Sequence, residues 1–200
     1  MNVSLPSRLL RRAIRAVVPA ASSDPARSVL CGVRIALFRD ALELAATDSF
    51  RAHRVRVDRG DLTSVVDAGP PVVVPAWFLD YWSRSASASY AYGDTAIVAG
   101  DGGVSLRSID LVMTTNAIDG TVWPNVNGLI DSVIAEGRVE VEAGAGFNPK
   151  YLAAALKAAN VWNPHAPVHT SSLQPRKPAH FVSICEEGRL DVLLMSTAAS

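Results

Sequence analysis

Four arginines crowd one short stretch near the start of this chain. Arg8, Arg11, Arg12 and Arg15 follow the i, i+3, i+4, i+7 spacing that sets side chains on one face of an α-helix. Leu9, Leu10, Ala13, Ile14 and Val17 form an apolar stripe on the other. No acidic residue lies between Arg8 and Ala21, so no carboxylate one turn away neutralises the basic face. Lys150 and Lys157, seven apart and so on one face, repeat the pattern more mildly around Ala153 and Ala154. Arg84 stands four residues from Asp80, which weakens any contact it could make with a polyanion. Basic helix faces without counter-charge suit phosphates rather than base edges, and so binding that ignores sequence.

Catalytic chemistry would need scattered residues to converge. His165 and His169 lie four apart with His180 and Cys185 downstream, but Pro164 and Pro167 rule against presentation from one helical turn. Asp48 and His53 could pair with a serine, yet no nucleophile elbow is present. Gly100-Asp101-Gly102-Gly103 reads as a hairpin turn, since neither a helix nor a Lys-Ser/Thr pair follows it. Cys31 and Cys185 are far apart, lack metal spacing and read as buried reduced thiols. The expectation is a protein without catalysis, cofactor or metal.

The elements that position these residues recur along the chain. Leu5-Pro6-Ser7-Arg8-Leu9-Leu10, Val74-Pro75-Ala76-Trp77-Phe78-Leu79 and Asn148-Pro149-Lys150-Tyr151-Leu152 each join an X-Pro to a helix-like run. Proline suits a first helical turn, Ser7 is placed to cap the first helix and Asn148 the third. Strand-like pairs follow. Val29 to Phe38 and Ala41 to Ala46 flank Arg39-Asp40, Thr95 to Ala99 and Val104 to Ile109 flank the glycine turn, and Phe181 to Cys185 and Arg189 to Met195 flank Glu186-Glu187-Gly188. The pattern predicts an α+β fold of repeated helix-plus-antiparallel-strand units, basic helices on one face and sheets on the other. Asp119 to Ile130 reads as a connector, and Trp162 to Pro178, with four prolines, as a long surface loop.

Two hundred residues, 49% of them hydrophobic, allow one or two domains with a real core. Lys+Arg and Asp+Glu both number 19, so charge placement rather than net charge must decide on nucleic acid. Arg8 to Ala21 loosely imitates a targeting segment, but Arg11, Arg12 and Arg15 interrupt any apolar run, and no stretch reaches the roughly 18 apolar residues of a membrane span. The expected location is cytoplasmic and nucleoid-associated, with no membrane partner.

Four segments carry a resemblance to a known family. They are Leu9 to Val33, with its Leu30-Cys31-Gly32-Val33 strand start, Leu42 to Arg51, with Ala46-Thr47-Asp48 and Arg51, Ile118-Asp119-Gly120-Thr121-Val122-Trp123-Pro124-Asn125, and Gly146 to Leu152 with Leu193-Leu194-Met195. In this order they resemble the bacterial DNA polymerase III beta subunit, the sliding clamp. The resemblance covers a complete middle domain, residues 1–130, and the second half of a last domain, residues 131–200, leaving a first domain and half of the last without counterparts. It implies a DNA-clamp-like fold and a processivity role without catalysis. Arg8, Arg11, Arg12, Arg15, Arg84, Lys150 and Lys157 would face double-stranded DNA. A peptide of a DNA polymerase or another clamp-binding protein would dock against Leu30, Thr47, Ser49, Arg51, Leu129, Ile130, Leu193 and Met195, and a clamp loader becomes a further candidate partner.

The match has departures. Phe50 stands where the family usually has histidine, Ala52 where it has leucine, and Asp131 and Ser196 where it has prolines, which predicts a shallower pocket or a different peptide. Family clamps close with twelve inner helices and this chain supplies three, so a homo-oligomer of four chains is the expected ring. The competing expectation is an adaptor of the same fold that binds replication-protein peptides without surrounding DNA.

Overall fold

The structure, a computed structural model, describes residues 1–85, 93–136, 147–172 and 177–196. Gly146 and Pro175, which enter the sequence reading, lie outside these.

The chain opens with strand β1 (Asn2–Pro6) and helix α1 (Ser7–Val17), followed by β2 (Gly32–Leu37), β3 (Ala41–Thr47), β4 (Arg51–Asp58) and β5 (Ser64–Asp67). A second round begins with β6 (Val72–Pro75) and α2 (Ala76–Ser85), then β7 (Asp94–Gly100), β8 (Gly103–Arg107) and β9 (Val112–Asn116). Helix α3 (Val126–Ala135) intervenes before the third, α4 (Pro149–Trp162), β10 (His169–Ser172), β11 (Pro178–Cys185) and β12 (Gly188–Met195). The first two rounds exchange their leading strands. β1 joins the second sheet, in the order β5-β1-β7-β8-β9, while β6 joins the first, β10-β11-β12-β4-β3-β2-β6. Every pairing is antiparallel.

The repeat is legible in burial as well as topology. Ser7, Leu9, Leu10, Ala13 and Ile14 are buried on α1, and Ala76, Phe78, Leu79, Trp82 and Ser83, each 69 residues on, are buried on α2. α4 follows with its phase shifted. Ala155, Ala158, Ala159 and Trp162 are buried where Leu10, Ala13, Ile14 and Val17 stand on α1, nearly one turn further from the helix start. These three helices and the sheet faces beneath them enclose the main core.

Several expectations are corrected. Ser7 does not cap α1. Pro6 holds that position, and Ser7 Oγ shares a 2.7 Å hydrogen bond with Thr95 Oγ1 on β7. Asn148 does cap α4, accepting from Lys150 N–H at 3.0 Å. Residues 119–130 are not all connector, since α3 starts at Val126. Its breaker residue is part of its cap. Asn125 Oδ1 accepts from Gly128 N–H at 3.0 Å, and a Cβ on Gly128 would collide with the Asn125 side chain. The proline-rich stretch contains β10, which pairs with β11. Cys31 and Cys185 are free but only half-buried, Cys31 in a 3-10 turn and Cys185 at the end of β11.

α3 lies on the opposite side of the seven-stranded sheet from the other helices. Along β3, Leu42, Leu44 and Ala46 enter the main core, while Ala45 joins Ala52, Val126, Ile130, Val133 and Leu193 in a smaller core under α3. β3 is therefore buried at all seven positions. On β4, His53 turns inward, fully buried, with Nδ1 2.7 Å from the Ala16 carbonyl of α1. The carbonyl only accepts, so Nδ1 carries the proton and Nε2 is left without a partner.

That geometry gives a pH signature. Burial pushes His53 down to about 4, against the hydrogen bond to Ala16. The unfolded chain takes up the proton first, so stability complete above the ordinary value of 6.5 is lost as pH falls from there towards 4. Urea denaturation near pH 5 should show roughly 2 kcal/mol less stability from this group than near pH 8, and His53→Gln, which keeps an N–H for Ala16, should flatten that part of the slope.

Candidate nucleic-acid and peptide interfaces

α1 and α4 pack side by side on the sheet and turn their polar faces away from it. Arg8, Arg15, Lys150 and Lys157 are exposed there, and none makes an ion pair among the described residues. Arg11 is half-buried, and burial and then the neighbouring Arg15 charge push it below its ordinary value. Like charges one helical turn apart repel, so α1 carries a positive cluster that no carboxylate among the described residues neutralises.

Arg12 is different. Its Nη2 meets Glu187 Oε2 at 2.9 Å, and its guanidinium lies 4.7 Å from the ring centre of Trp162 on α4. Burial works against the Glu187 charge, yet the hydrogen bond from Arg12 holds this carboxyl below its ordinary range. Arg12 thus ties α1 to α4 and to the turn before β12. Arg84 on α2 is paired with Asp80 at 2.8 Å, as their spacing predicted.

The expected peptide residues gather on the outer side of the sheet around two adjoining hollows. Thr47, Ser49, Arg51, Leu129, Leu193 and Met195 line a shallow cleft of about 30 Å³, room for roughly two waters. Leu30 and Ser49 line a neighbouring hollow of about 470 Å³. Ile130 is fully buried in the small core and lines neither. The turn before β4 shapes the cleft. Asp48 Oδ1 accepts from Phe50 N–H and Arg51 N–H at 3.0 and 3.1 Å, and Ser49 adopts a φ of 79°. Phe50 is thereby exposed and stacks on Tyr151, ring centres 6.3 Å apart, while the Arg51 guanidinium sits 4.8 Å from the same ring. Tyr151 lines neither hollow but backs Phe50, which lines the cleft, and the sequence reading did not assign it there. Its only signal was an aromatic placed just after the α4 cap.

Beneath the cleft, the two parts of the chain are joined by charge. β4 pairs with β12, and Arg54 lies opposite Asp191. The buried Asp191 carboxylate accepts from Arg54 Nη2 (2.9 Å), His180 Nε2 (2.9 Å) and Arg189 Nε (2.7 Å). Burial raises this carboxyl, but His180, Arg54 and Arg189 together bring it below its ordinary value. Arg54 Nη1 also meets Asp131 Oδ1 at 2.7 Å, and Asn127 donates to Glu43 at 2.6 Å, so α3 is tethered at two polar points. His180 therefore belongs to a structural network. Among the described residues, no three His, Cys, Asp or Glu side chains are gathered as for a metal ion, and no helix is long and apolar enough to cross a membrane.

Residues 4–125 match the family model of the DNA polymerase III beta subunit, central domain. The chain belongs to this family. The match ends at Asn125, the cap of α3, so the helix on the outer face lies just beyond it. No curated protein sequence matches the chain. Among solved structures, a DNA polymerase III beta subunit from Eubacterium rectale superposes with a TM-score of 0.76 at 14% identity, over 98% of this chain and 65% of that one. The sliding clamp of Pseudomonas aeruginosa bound to griselimycin gives 0.74 at 15%, over 98% and 65%. Archaeal PCNA from A. fulgidus, bound to the C-terminal region of FEN-1, gives 0.69 at 12%, over 100% and 99%. At such identities the likeness is one of fold, and the chain spans less than two-thirds of these bacterial subunits.

The two kinds of arginine on α1 should separate in stability. Arg12→Ala is expected to cost about 1 kcal/mol, through loss of the Glu187 pair and the Trp162 contact. Arg15→Ala should stay within about 0.5 kcal/mol of the parent. Urea denaturation of both variants is the check.

Proposed function

We propose that this chain is a sliding-clamp-type processivity factor. Its α1–α4 face lines double-stranded DNA without reading sequence, and its outer cleft tethers a DNA polymerase or another clamp-binding peptide. The observation that carries the reading is the set of cations without an ion pair among the described residues, Arg8, Arg11, Arg15, Lys150 and Lys157, on the helical side of a clamp fold. Cations on flexible stems that no carboxylate holds exchange phosphate partners easily, which suits sliding rather than fixed binding. Arg12 and Arg84 contribute less, because Glu187 and Asp80 already engage them.

The protein acts without catalysis in this reading, as a mobile anchor in the cytoplasm, placed on DNA by a clamp loader. α3 sits on the outer face, so each chain offers three helices, α1, α2 and α4, to the inner one. Four chains would supply the twelve of a closed ring. Leu30, Thr47, Ser49, Arg51, Leu129, Leu193 and Met195, with Tyr151 and Phe50 added, form the docking surface, while Ile130 supports it from below. The small cleft and the aromatic stack beside it favour a peptide with a flat or short apolar anchor. That stack also supports the second reading, an adaptor that holds such peptides without surrounding DNA.

Fluorescence anisotropy on duplex DNA across a salt series separates the two. A clamp face predicts affinity that falls steeply with salt, and Arg8→Ala/Arg15→Ala should lower the logarithmic salt slope by about two. Capture of a clamp-binding peptide with no salt-dependent DNA affinity would replace this reading with the adaptor.

A further inference from the structure

The outer groove does not end at its two hollows. A third, of about 320 Å³, opens between β2 and the start of α3, walled by Arg34, Trp123, Asn125 and Asn127. Pro124 lines both this hollow and the 470 Å³ one, and Ser49 lines both that one and the small cleft. The three spaces therefore run on from one another along the outer face, with exposed Pro124 as the ridge between the last two.

Each space has an arginine in its wall, and two of the three are occupied. In the cleft, Arg51 Nε donates to Asp48 at 3.0 Å and the guanidinium lies beside the Tyr151 ring. In the middle hollow, Arg27 Nε donates to Asp24 at 3.2 Å and Nη1 to the Asp48 carbonyl at 3.1 Å. Arg34 makes no side-chain hydrogen bond among the described residues, although its side chain is only 22% exposed. Its Nη1 stands 3.7 Å from Glu43 Oε1, beyond hydrogen-bond reach. Glu43 instead accepts from Asn127 Nδ2 at 2.6 Å. Burial lifts the Glu43 carboxyl above its ordinary range, against that hydrogen bond and the charges of Arg54, Arg56 and Arg34. Arg34 is thus a half-sheltered cation whose donors are unused, a costly arrangement until an acceptor arrives.

The rest of the wall suits a carboxylate. Asn125 Oδ1 is taken by Gly128 N–H in the α3 cap, which leaves its Nδ2 donor for a ligand. Trp123 is half-buried against the small core under α3 and gives the hollow an apolar side. The middle hollow is unlike it, since the Asp119 carboxylate lines that space and is held below its ordinary range by the Thr121 N–H and hydroxyl. Along the groove the character changes from apolar at the cleft, through negative, to positive at Arg34.

We propose that the third hollow binds an acidic side chain of the docked peptide, its carboxylate shared by Arg34 and the Asn125 amide and its stem resting on Trp123. The inference rests on the docking role proposed for the cleft and adds how partners are chosen, by a glutamate or aspartate flanking the apolar anchor. A free anion would meet the same donors. A residue tethered to an anchor already seated in the cleft arrives at a high effective concentration, which favours the peptide as the occupant. Charge-assisted hydrogen bonds to a planar guanidinium are the strong kind, so one such contact suffices to discriminate.

Fluorescence anisotropy with labelled peptides is the test. Each peptide joins a Leu-Leu-Phe anchor through a Gly-Ser spacer to Glu-Glu-Glu or to the uncharged Gln-Gln-Gln, with the flank before or after the anchor. In one of these two orders the glutamate peptide should bind about tenfold more tightly than its glutamine twin. Arg34→Gln should remove that preference and leave the affinity for the glutamine peptide unchanged. Asn125→Asp, which keeps a side-chain acceptor for the α3 cap but puts a negative charge in the hollow, should remove it too. Equal affinity for both flanks in the parent overturns the proposal and leaves the cleft as a docking site. A preference that survives either variant also overturns it. So does equally tight binding of Glu-Glu-Glu without the anchor, which would make the hollow an anion site of its own. Failure of every anchored peptide to bind overturns the docking role and this inference together.

Discussion

Asp191 is the hinge of this molecule's construction. A carboxylate with no solvent exposure survives only if its charge is fully met, and here one residue is met by Arg54 from β4, Arg189 from its own strand and His180 from β11. These contacts clamp the third unit onto the first, and the α1–α4 face and the small outer cleft both straddle that seam. The α1–α4 contact above it assembles the basic face from residues 8–15 and 150–157. The cleft below it draws Thr47 to Ala52 from one side and Leu193 and Met195 from the other. Removing one member of such a network leaves a buried charge unpaired, at a cost of about 3–5 kcal/mol in comparable cases. The seam is thus fixed by electrostatics with low tolerance for change.

The arginines divide accordingly. Arg12, Arg51, Arg54 and Arg84 each have a carboxylate in reach, and the first three are packed into joints. Arg8, Arg11 and Arg15 have none among the described residues. A fold that can place carboxylates so accurately at one set of guanidinium groups leaves another set bare on a single helix. Self-repulsion of that set is a standing cost. A polyanion would supply the missing charge, so the proposed DNA-facing role rests on the bare set and not on the total of 19 basic residues.

How much of this was legible in the sequence follows from the range of the forces involved. Hairpins with short turns, the Asn148 cap and the Arg84–Asp80 pair depend on neighbours in the chain, and they were readable. So was the three-fold recurrence of X-Pro and helix. What could not be read depends on contacts at long range. Ser7 looks like a cap but is claimed by Thr95, 88 residues away, and Arg54 meets Asp191 across 137 residues. α3 was hidden because Gly128 and Pro124 mark a loop in isolation, while the sheet offers Ile130 and Val133 a core. β10 was hidden because its prolines flank the strand rather than interrupt it. In the site, Arg12 and Ile130 resemble their neighbours in pattern and differ only in what folds over them.

The repeat also explains the chemistry of the internal joint. Three units share one plan, and each presents a strand edge beneath a helix. Two of these edges are satisfied within the chain, and the position they share across the joint carries opposite charges that fit each other and would not fit themselves. That arrangement prevents Arg54 or Asp191 edges from pairing with copies of themselves, and so guards the internal order of the units.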